Sequence, residues 1–409
     1  MEIRKITQSE YLEYRRLGSV CFIYSLDKDH ENWKDDLDKH AKDWQNRLGA
    51  FDDKGNLIAA LYIIPFEMNF DGHVVKMGGI QAVVTAPEAR GTGVMTKVFK
   101  ECLQLMKEEG QIFSTLYPFS CAYYRKFGYE VAYEHIVTEI DILPFCKYPY
   151  PVDSVRFLKK GDDITDIKAV YEVFRKGRNY AIKRDDKDWD KIFPKDDDPY
   201  VSKAYTYVHY DNEGKADSYL KFVGERAKNS TDIKIVELAW TSMSGLYAMF
   251  GFIGGLRPQF DKVVWRGMPM DLNMYTLIPE ARDIRDITNK EVPNYAGDVV
   301  MTRIVDLPAV LALLKPPHSK GRVVIEVTDK FLPGNTGKYE IAWENGQLNV
   351  EKSGQNPDMH TTIEAMAQMA LGYLSADMAE YRQDTTIYSQ AEALNSLFPK
   401  KNLYMWERF

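Results

Sequence analysis

The feature that most constrains this fold is a change in hydrophobic period at Thr85. Before Thr85, apolar and polar residues alternate as in β-strands, in segments separated by turns at 52–55 and 71–72. After the loop Arg90-Gly91-Thr92-Gly93, apolar residues recur at helical spacing as far as Gly110, a natural helix stop. The sequence therefore predicts an antiparallel meander, a glycine-rich loop and a helix, in that order.

The glycines of this loop allow the main chain to approach a ligand closely and to present successive N–H groups. These donors lie at a helix N-terminus, where the partial positive charge favours a pyrophosphate. Arg90 can add a charge-assisted hydrogen bond. Short motifs of this type also recur by chance as ordinary strand–helix turns, so it is the surrounding strands that favour a pyrophosphate site here.

The pattern repeats after an extended linker, Tyr148-Pro149-Tyr150-Pro151. A second hairpin is predicted over 204–224, and a strand over 233–240 precedes a helix that Ser242 can cap. In place of the first loop, the second copy has Thr241-Ser242-Met243-Ser244-Gly245, without the basic residue and the paired glycines. We therefore predict one functional copy and one structural copy of the same fold.

A third region, which begins near Pro293, has an α+β pattern. Its predicted strands are 301–305, 323–327, 337–343 and 347–350, and its predicted helices are 307–314, 363–370, 375–380 and 389–397. In the first copy, strands are predicted over 2–7, 47–51, 56–69, 73–77, 80–85, 111–117 and from 127 to about 142. The fold class expected for the whole chain is α/β (α+β).

Length, charge and cysteine content restrict the function. A chain of 409 residues is too long for one core, and a net charge of −7 argues against nucleic acid as the main partner. The four cysteines are scattered, so neither a metal site nor a disulfide framework is expected, and free thiols in a reducing cytoplasm are the simpler interpretation. No segment is apolar enough to predict a membrane span.

The segment 82–94 resembles motif A of the GNAT (Gcn5-related N-acetyltransferase) family, which binds acetyl-CoA through R/Q-x-x-G-x-G/A. Arg90 and Gly93 match the first two fixed positions, whereas Met95 replaces the small third residue. The whole chain is similar to the Eis (enhanced intracellular survival) acetyltransferases, most specifically in Tyr124–Tyr129 and in the aromatic end at Phe409. That subfamily typically has a large aliphatic residue at the position of Met95.

The resemblance implies tandem GNAT domains, each with a mixed central sheet flanked by helices, followed by a sterol-carrier-protein-like domain. The implied ranges are 1–147 for the active GNAT domain, 148–290 for a degenerate one and 291–409 for the C-terminal domain. It also implies a homo-hexamer that uses acetyl-CoA as co-substrate. The implied cofactor-binding residues are Val83, Val84, Thr85, Arg90, Gly91, Thr92, Gly93, Val94, Met95, Thr96, Phe119 and Ser120.

The same resemblance assigns Tyr124 as general acid and the α-carboxylate of Phe409 as general base. A phenol with a pKa near 10 is protonated at neutral pH, and a terminal carboxylate with a pKa near 3.5 is ionised, so both roles are chemically sound. From the residues alone, Tyr124 is as readily a core aromatic, and Tyr123 is its neighbouring alternative. Most chain ends fray, but the apolar end of this chain argues against fraying.

The acceptor is expected to be a primary amine on an aminoglycoside, a polyamine or a lysine side chain. Acidic and aromatic residues suit such a cation, and the candidates are Asp27, Asp29, Trp33 and Glu407. Two other interpretations remain open at the level of sequence. The chain could be a non-catalytic lipid or acyl-CoA binding protein, or it could transfer a longer acyl group.

Overall fold

A computed structural model describes residues 1–26, 41–228, 230–278 and 294–409. These residues form two compact units. The first unit contains Met1–Ala132, Val300–Lys400 and Glu407–Phe409, and the second contains Tyr133–Val299 and Lys401–Trp406. The chain therefore enters each unit more than once. The boundaries of the three sequence domains, 147/148 and 290/291, stay a prediction.

The first unit is built on a sheet whose first five strands follow the order of the chain. They are β1 (Glu2–Lys5), β2 (Arg47–Phe51), β3 (Leu57–Phe70), β4 (His73–Thr85) and β5 (Phe113–Leu116). Neighbouring strands are antiparallel except for β4 and β5, which are parallel. The α-helices that the structure describes in this part are α1 (Tyr11–Phe22), α2 (Val94–Glu108) and α3 (Cys121–Arg125).

Helix α2 confirms the predicted helical period after the glycine loop. Its buried residues are Val94, Met95, Val98, Phe99, Cys102, Leu103 and Met106. They share one core with the buried tyrosines of α1 and with Ile80 and Leu116 of the parallel strand pair. Burying a large apolar side chain contributes about 1.5–3 kcal/mol, so this face of α2 fixes the helix, and hence its N-terminus, relative to β4 and β5.

Strand β4 differs from the two segments, 73–77 and 80–85, that the sequence predicts. It runs without a break through Gly78 and Gly79. A Cβ at Gly78 would lie 2.5 Å from Met106 Cε, and a Cβ at Gly79 would lie 2.9 Å from the Phe409 ring. The two glycines therefore admit close neighbours on opposite faces of the strand and do not interrupt it.

The second unit repeats the arrangement of the first. After β6 (Glu130–Asp141), its strands are β7 (Val155–Phe157), β8 (Ala204–Tyr210), β9 (Ala216–Arg226), β10 (Thr231–Trp240) and β11 (Lys262–Arg266). The sheet order is β6-β11-β10-β9-β8-β7, and β10 and β11 are the parallel pair. The helices are α4 (Thr165–Lys176), α5 (Asp186–Ile192), α6 (Pro199–Ser202), α7 (Met243–Gly255) and α8 (Met274–Leu277). The predicted duplication is thus confirmed.

The last part of the chain begins with β12 (Asn294–Ile304), which extends further than the predicted strand 301–305. From Met301 to Ile304 it pairs with β5, so it completes the sheet of the first unit. A separate five-stranded sheet follows, in the order β15-β14-β13-β16-β17. Its strands are β13 (Gly321–Thr328), β14 (Gly337–Glu344), β15 (Gln347–Lys352), β16 (Met359–Thr362) and β17 (Thr386–Ile387).

Four short helices, α9 (Leu307–Leu311), α10 (Ile363–Leu371), α11 (Ala376–Ala379) and α12 (Ala391–Leu397), accompany these strands. Of the helices in the described ranges, none combines the length and apolar character that crossing a bilayer requires.

A fully buried ion pair joins β12 to the loop after β13 within the first unit. The Arg303 guanidinium donates to Asp329 and to the carbonyl oxygen of Phe127. Asp329 also accepts hydrogen bonds from Asn335 Nδ2 at 3.0 Å and from the Phe331 N–H at 3.0 Å. Because every group is paired, the buried charges are compensated, and removing one partner would leave the other charge isolated.

We expect Arg303→Met to lower the free energy of unfolding by about 3–5 kcal/mol, because Asp329 would remain buried without its cation. Urea denaturation followed by circular dichroism measures this change. Arg322→Met is the matched control, since Arg322 forms a solvent-exposed pair with Glu340, and such pairs contribute little to stability. Equal losses in the two variants would contradict the role given to the buried pair.

Candidate active site

The parallel strands β4 and β5 separate partway along their length. Their pairing runs from Met77 and Phe113 to Ile80 and Leu116, while β4 continues to Thr85. Among the strands that the structure describes, none pairs with this last part of β4 on the side that β5 leaves. The two strands therefore form a wedge that opens beyond Ile80 and Leu116, along which β4 has no described strand neighbour.

A β-bulge lies in β4 beside this wedge. Gln81 is opposite Tyr62 and Val84 is opposite Ala60, so Ala82 and Val83 together face a single residue of β3. Ala82 has a φ of 51°, a left-handed conformation that is costly for a residue with a Cβ and is often found at functional sites. A bulge leaves its extra residue outside the ladder, so main-chain groups of this segment are free to meet a ligand.

The N-terminus of α2 follows directly, and it has no side-chain cap. Its N-cap residue is Gly93, with a φ of 79°, and Gly91 has the same φ. A Cβ at either glycine would have no heavy atom of the described residues within 4 Å. The exposed Arg90 forms no ion pair with any residue in the described ranges. Exposed amides at the positive end of a helix, next to a free cation, form an anion site.

The structure explains why Met95 does not obstruct this site. Its side chain is 5% exposed and belongs to the hydrophobic core, as does that of Val94. Thr92 Oγ1 donates to the carbonyl oxygen of Ala89 at 2.7 Å, which closes the loop before the helix. The main-chain N–H groups at 94–96 are what the helix presents to an anion, so a large buried side chain at position 95 is tolerated.

The corresponding helix of the second unit is closed. Ser242 caps α7 by accepting a hydrogen bond from the Gly245 N–H at 3.1 Å. The Asp217 carboxylate lies beside this cap, 3.5 Å from Ser242 Oγ and 2.6 Å from His209 Nδ1. A phosphate placed here would meet a carboxylate and a helix end whose donor is already used. The second copy therefore lacks the uncapped helix end that the first copy has.

Tyr124 lies in α3, which begins after Ser120. The side chain of Ser120 caps the helix by accepting from the Tyr123 N–H at 3.3 Å. The Tyr124 ring is buried and lies 5.3 Å from the ring of Phe119 and 6.0 Å from that of Phe99, centroid to centroid. Its hydroxyl forms no hydrogen bond with any residue that the structure describes. Burial raises the pKa of Tyr124 above its ordinary value, so the phenol keeps its proton at neutral pH.

The end of the chain is packed against β3, β4 and the residue after β5 in the first unit. The Phe409 ring lies 5.1 Å from that of Phe66 and 5.5 Å from that of Tyr117. The Tyr117 hydroxyl donates to the main-chain oxygen of Glu407 at 2.7 Å, and the Glu407 side chain is buried. Since Tyr117 directly follows the last paired residue of β5, Phe409 lies where β4 and β5 separate. The expectation of an ordered apolar end agrees with this packing.

Other expected acceptor residues cannot be placed, because Asp27, Asp29 and Trp33 lie outside the described residues. Of the described helices, α1 lies nearest to these residues in the sequence. Its Cys21 thiol donates to the Thr85 carbonyl oxygen at 3.4 Å. Within the ranges that the structure describes, no group of three or more His, Cys, Asp or Glu side chains is placed to hold a metal ion.

Sequence reasoning missed the Ala82 bulge, Gly79, Tyr117 and the Asp217 carboxylate that closes the second copy. Only Gly79 left a signal in the sequence. Two consecutive glycines inside a strand indicate close approach of other groups, as well as a possible break. The other three depend on register and on contacts between distant residues.

Comparisons with known proteins agree with this geometry. Residues 2–132 and residues 181–304 each match a model described as an acetyltransferase (GNAT) domain, and residues 307–406 match a sterol carrier protein domain. An uncharacterized N-acetyltransferase from Streptomyces coelicolor is 23% identical over 314 residues, which are 74% of this chain and 72% of that protein.

Two solved structures share the fold over the full length of both chains. They are a GCN5-related N-acetyltransferase from Anabaena variabilis, with a TM-score of 0.83 and 22% identity, and Eis1 from Mycobacterium abscessus, with a TM-score of 0.79 and 19% identity. Two acetyltransferase domains and a sterol carrier protein domain follow one another as the resemblance implied. The chain therefore contains two GNAT acetyltransferase domains.

Proposed function

We propose that the protein transfers an acetyl group from acetyl-CoA to a primary amine, in its first GNAT domain and by direct attack. The observation that carries this proposal is the contrast between two equivalent helix N-termini. At α2, the Cβ positions of Gly91 and Gly93 have no neighbour within 4 Å among the described residues, and Arg90 forms no ion pair with any of them. At α7, a serine cap and Asp217 occupy the equivalent place. One domain can accept a diphosphate and the other cannot.

Acetyl-CoA would bind along β4 and across the N-terminus of α2. The diphosphate would accept hydrogen bonds from the main chain at 90–96, and Arg90 would add its charge. The pantetheine arm would pair with the free edge of β4 at Val83–Thr85, with Phe119 and Ser120 at its border. The bulge at Ala82 supports this arrangement, because it leaves main-chain groups without a strand partner.

The chemistry then needs one base and one acid. The Phe409 carboxylate would accept a proton from the acceptor ammonium, directly or through water, and the free amine would attack the thioester carbon. A main-chain N–H near Val83 would stabilise the oxyanion. As the C–S bond breaks, Tyr124 would donate its proton to the thiolate, and the second proton lost by the amine nitrogen would pass through water to restore the phenol. The amide and free CoA are the products, and no covalent enzyme intermediate is required.

The acceptor class belongs to the same proposal. Half-buried aromatic rings at Tyr117 and Phe409, beside the buried Glu407, suit a cationic amine such as an aminoglycoside, a polyamine or a lysine side chain. Measuring CoA release against a panel of these amines would identify the acceptor.

The resemblance to the Eis acetyltransferases supports assembly into a homo-hexamer, and four free cysteines fit a cytoplasmic location.

We expect Gly93→Ala to weaken acetyl-CoA binding at least tenfold. The new methyl group would enter the space in front of the helix, and a φ of 79° would be strained by about 1–2 kcal/mol. Isothermal titration calorimetry with acetyl-CoA measures the change. Gly110→Ala is the matched control, because Gly110 ends the same helix with a φ of 75° and has the same open surroundings. Equal affinities in the two variants would remove the support that the α2 N-terminus gives to the proposal.

We expect Tyr124→Phe to lower kcat by about 10²–10⁴-fold, because the thiolate would lose its proton donor. The dissociation constant of acetyl-CoA should stay within about twofold. Tyr123→Phe is the control, since it removes the neighbouring hydroxyl and should keep most of the activity. If only the Tyr123 variant lost activity, the general acid would be Tyr123.

Appending one residue after Phe409 should also lower kcat, because the terminal carboxylate would be displaced. A wild-type rate in this variant would exclude the Phe409 carboxylate as the base.

The pH dependence follows from the raised pKa of Tyr124. A general acid acts only while it is protonated, so raising its pKa extends activity to higher pH. We expect kcat to rise with pH as the acceptor loses its proton. At every pH up to about 10, the ordinary pKa of a tyrosine, kcat should show no decrease. Initial rates of CoA release between pH 6 and pH 10 would test this. A decrease in kcat near pH 8 would indicate a different acid.

A further inference from the structure

Gly79 lies beside the terminal aromatic ring, within the first unit. A Cβ at this position would be 2.7 Å from Phe66 Cε2 and 2.9 and 3.0 Å from two ring carbons of Phe409. Carbon atoms in van der Waals contact are about 3.5–4.0 Å apart, so any side chain at position 79 would displace one of these rings. The ring of Phe409 can occupy its present place only because residue 79 is glycine.

Tyr117 holds the same terminal segment in a second way. Its hydroxyl donates to the Glu407 carbonyl oxygen at 2.7 Å, and its ring meets the Phe409 ring edge-on at an angle of 78°. The Phe66 ring packs on Phe409 with a centroid distance of 5.1 Å. The last residue is therefore held by packing on β3 and β4, and the segment that carries it is held by the hydrogen bond from Tyr117 to Glu407.

We infer that Gly79 and Tyr117 are positioning residues, which set the place of Phe409 and with it the place of its α-carboxylate. This inference rests on the proposed function, in which that carboxylate is the general base. Neither residue is proposed to touch the reacting atoms. Their effect comes from geometry, because displacing a catalytic group by about 1 Å can reduce the rate by about 10²-fold.

The neighbouring glycine provides a matched control. Gly78 is adjacent on the same strand, and its missing side chain would point to the opposite face. A Cβ there would approach Met106 Cε, Met106 Sδ and Gln111 Oε1, which belong to two flexible but buried side chains that would have to shift. Gly78→Ala and Gly79→Ala change the conformational freedom of the unfolded chain alike, so a difference between them reports on Phe409.

The kinetic test compares kcat, the KM of the amine and the dissociation constant of acetyl-CoA in the full-length variants. We expect Gly79→Ala to lower kcat by about 10–100-fold, with acetyl-CoA affinity within about twofold. Gly78→Ala should keep kcat within about threefold. Tyr117→Phe keeps the ring and loses only one hydrogen bond, so it should fold normally and lower kcat by about 2–12-fold.

A second readout does not depend on activity. A carboxypeptidase that prefers aromatic C-terminal residues would be added, and the loss of Phe409 would be followed by mass spectrometry of the intact protein. Release should be faster in Gly79→Ala and Tyr117→Phe than in the wild type and Gly78→Ala, because Phe409 is less firmly held. Unchanged release in the first two variants would overturn the inference, whatever happens to kcat.

The two readouts together separate this inference from the proposed function. Faster release with a lower kcat supports both. Faster release with an unchanged kcat supports the positioning of Phe409 by Gly79 and Tyr117, but rejects the Phe409 carboxylate as the base.

Discussion

The separation of two parallel strands is the constraint on which the rest of the first unit depends. Strands β4 and β5 share only the pairs from Met77–Phe113 to Ile80–Leu116, and a bulge at Ala82 follows immediately on β4. Unpaired main-chain groups inside a fold are costly unless water or a ligand satisfies them. Such an opening is therefore stable only where the core beside it is firmly packed, and here the buried face of α2 provides that packing.

The two repeats show how one architecture can keep or lose a ligand site through a few polar groups. Both have a bulged strand, a parallel neighbour and a helix that begins after the strand. In the first, glycines leave the helix end open, while in the second Ser242 and Asp217 satisfy it internally. A self-capped helix is more stable in the absence of ligand, which agrees with the structural role predicted for the second copy.

The order of strands explains why the compact units do not follow the order of the chain. Strand β6 comes after the first repeat, yet from Tyr133 onward it belongs to the second unit, where it pairs with β11. Strand β12 comes after the second repeat but completes the sheet of the first unit beside β5. The sheet of each repeat therefore includes one strand that lies outside that repeat in the sequence. This strand is β12 in the first unit and β6 in the second. The buried Arg303–Asp329 pair then fixes β12 to the C-terminal part of that unit.

Local patterns in the sequence determined most of the elements and the type of site. The change of period at Thr85, the glycines at 91 and 93 and the cap at Ser242 act within a few residues, so they could be interpreted without a partner. Only the tertiary structure decided the bulge at Ala82, the packing of Phe409 on Gly79 and the exchange of β6 and β12. These depend on strand register and on contacts between residues far apart in sequence, and a periodic pattern specifies a face of an element but not its neighbour.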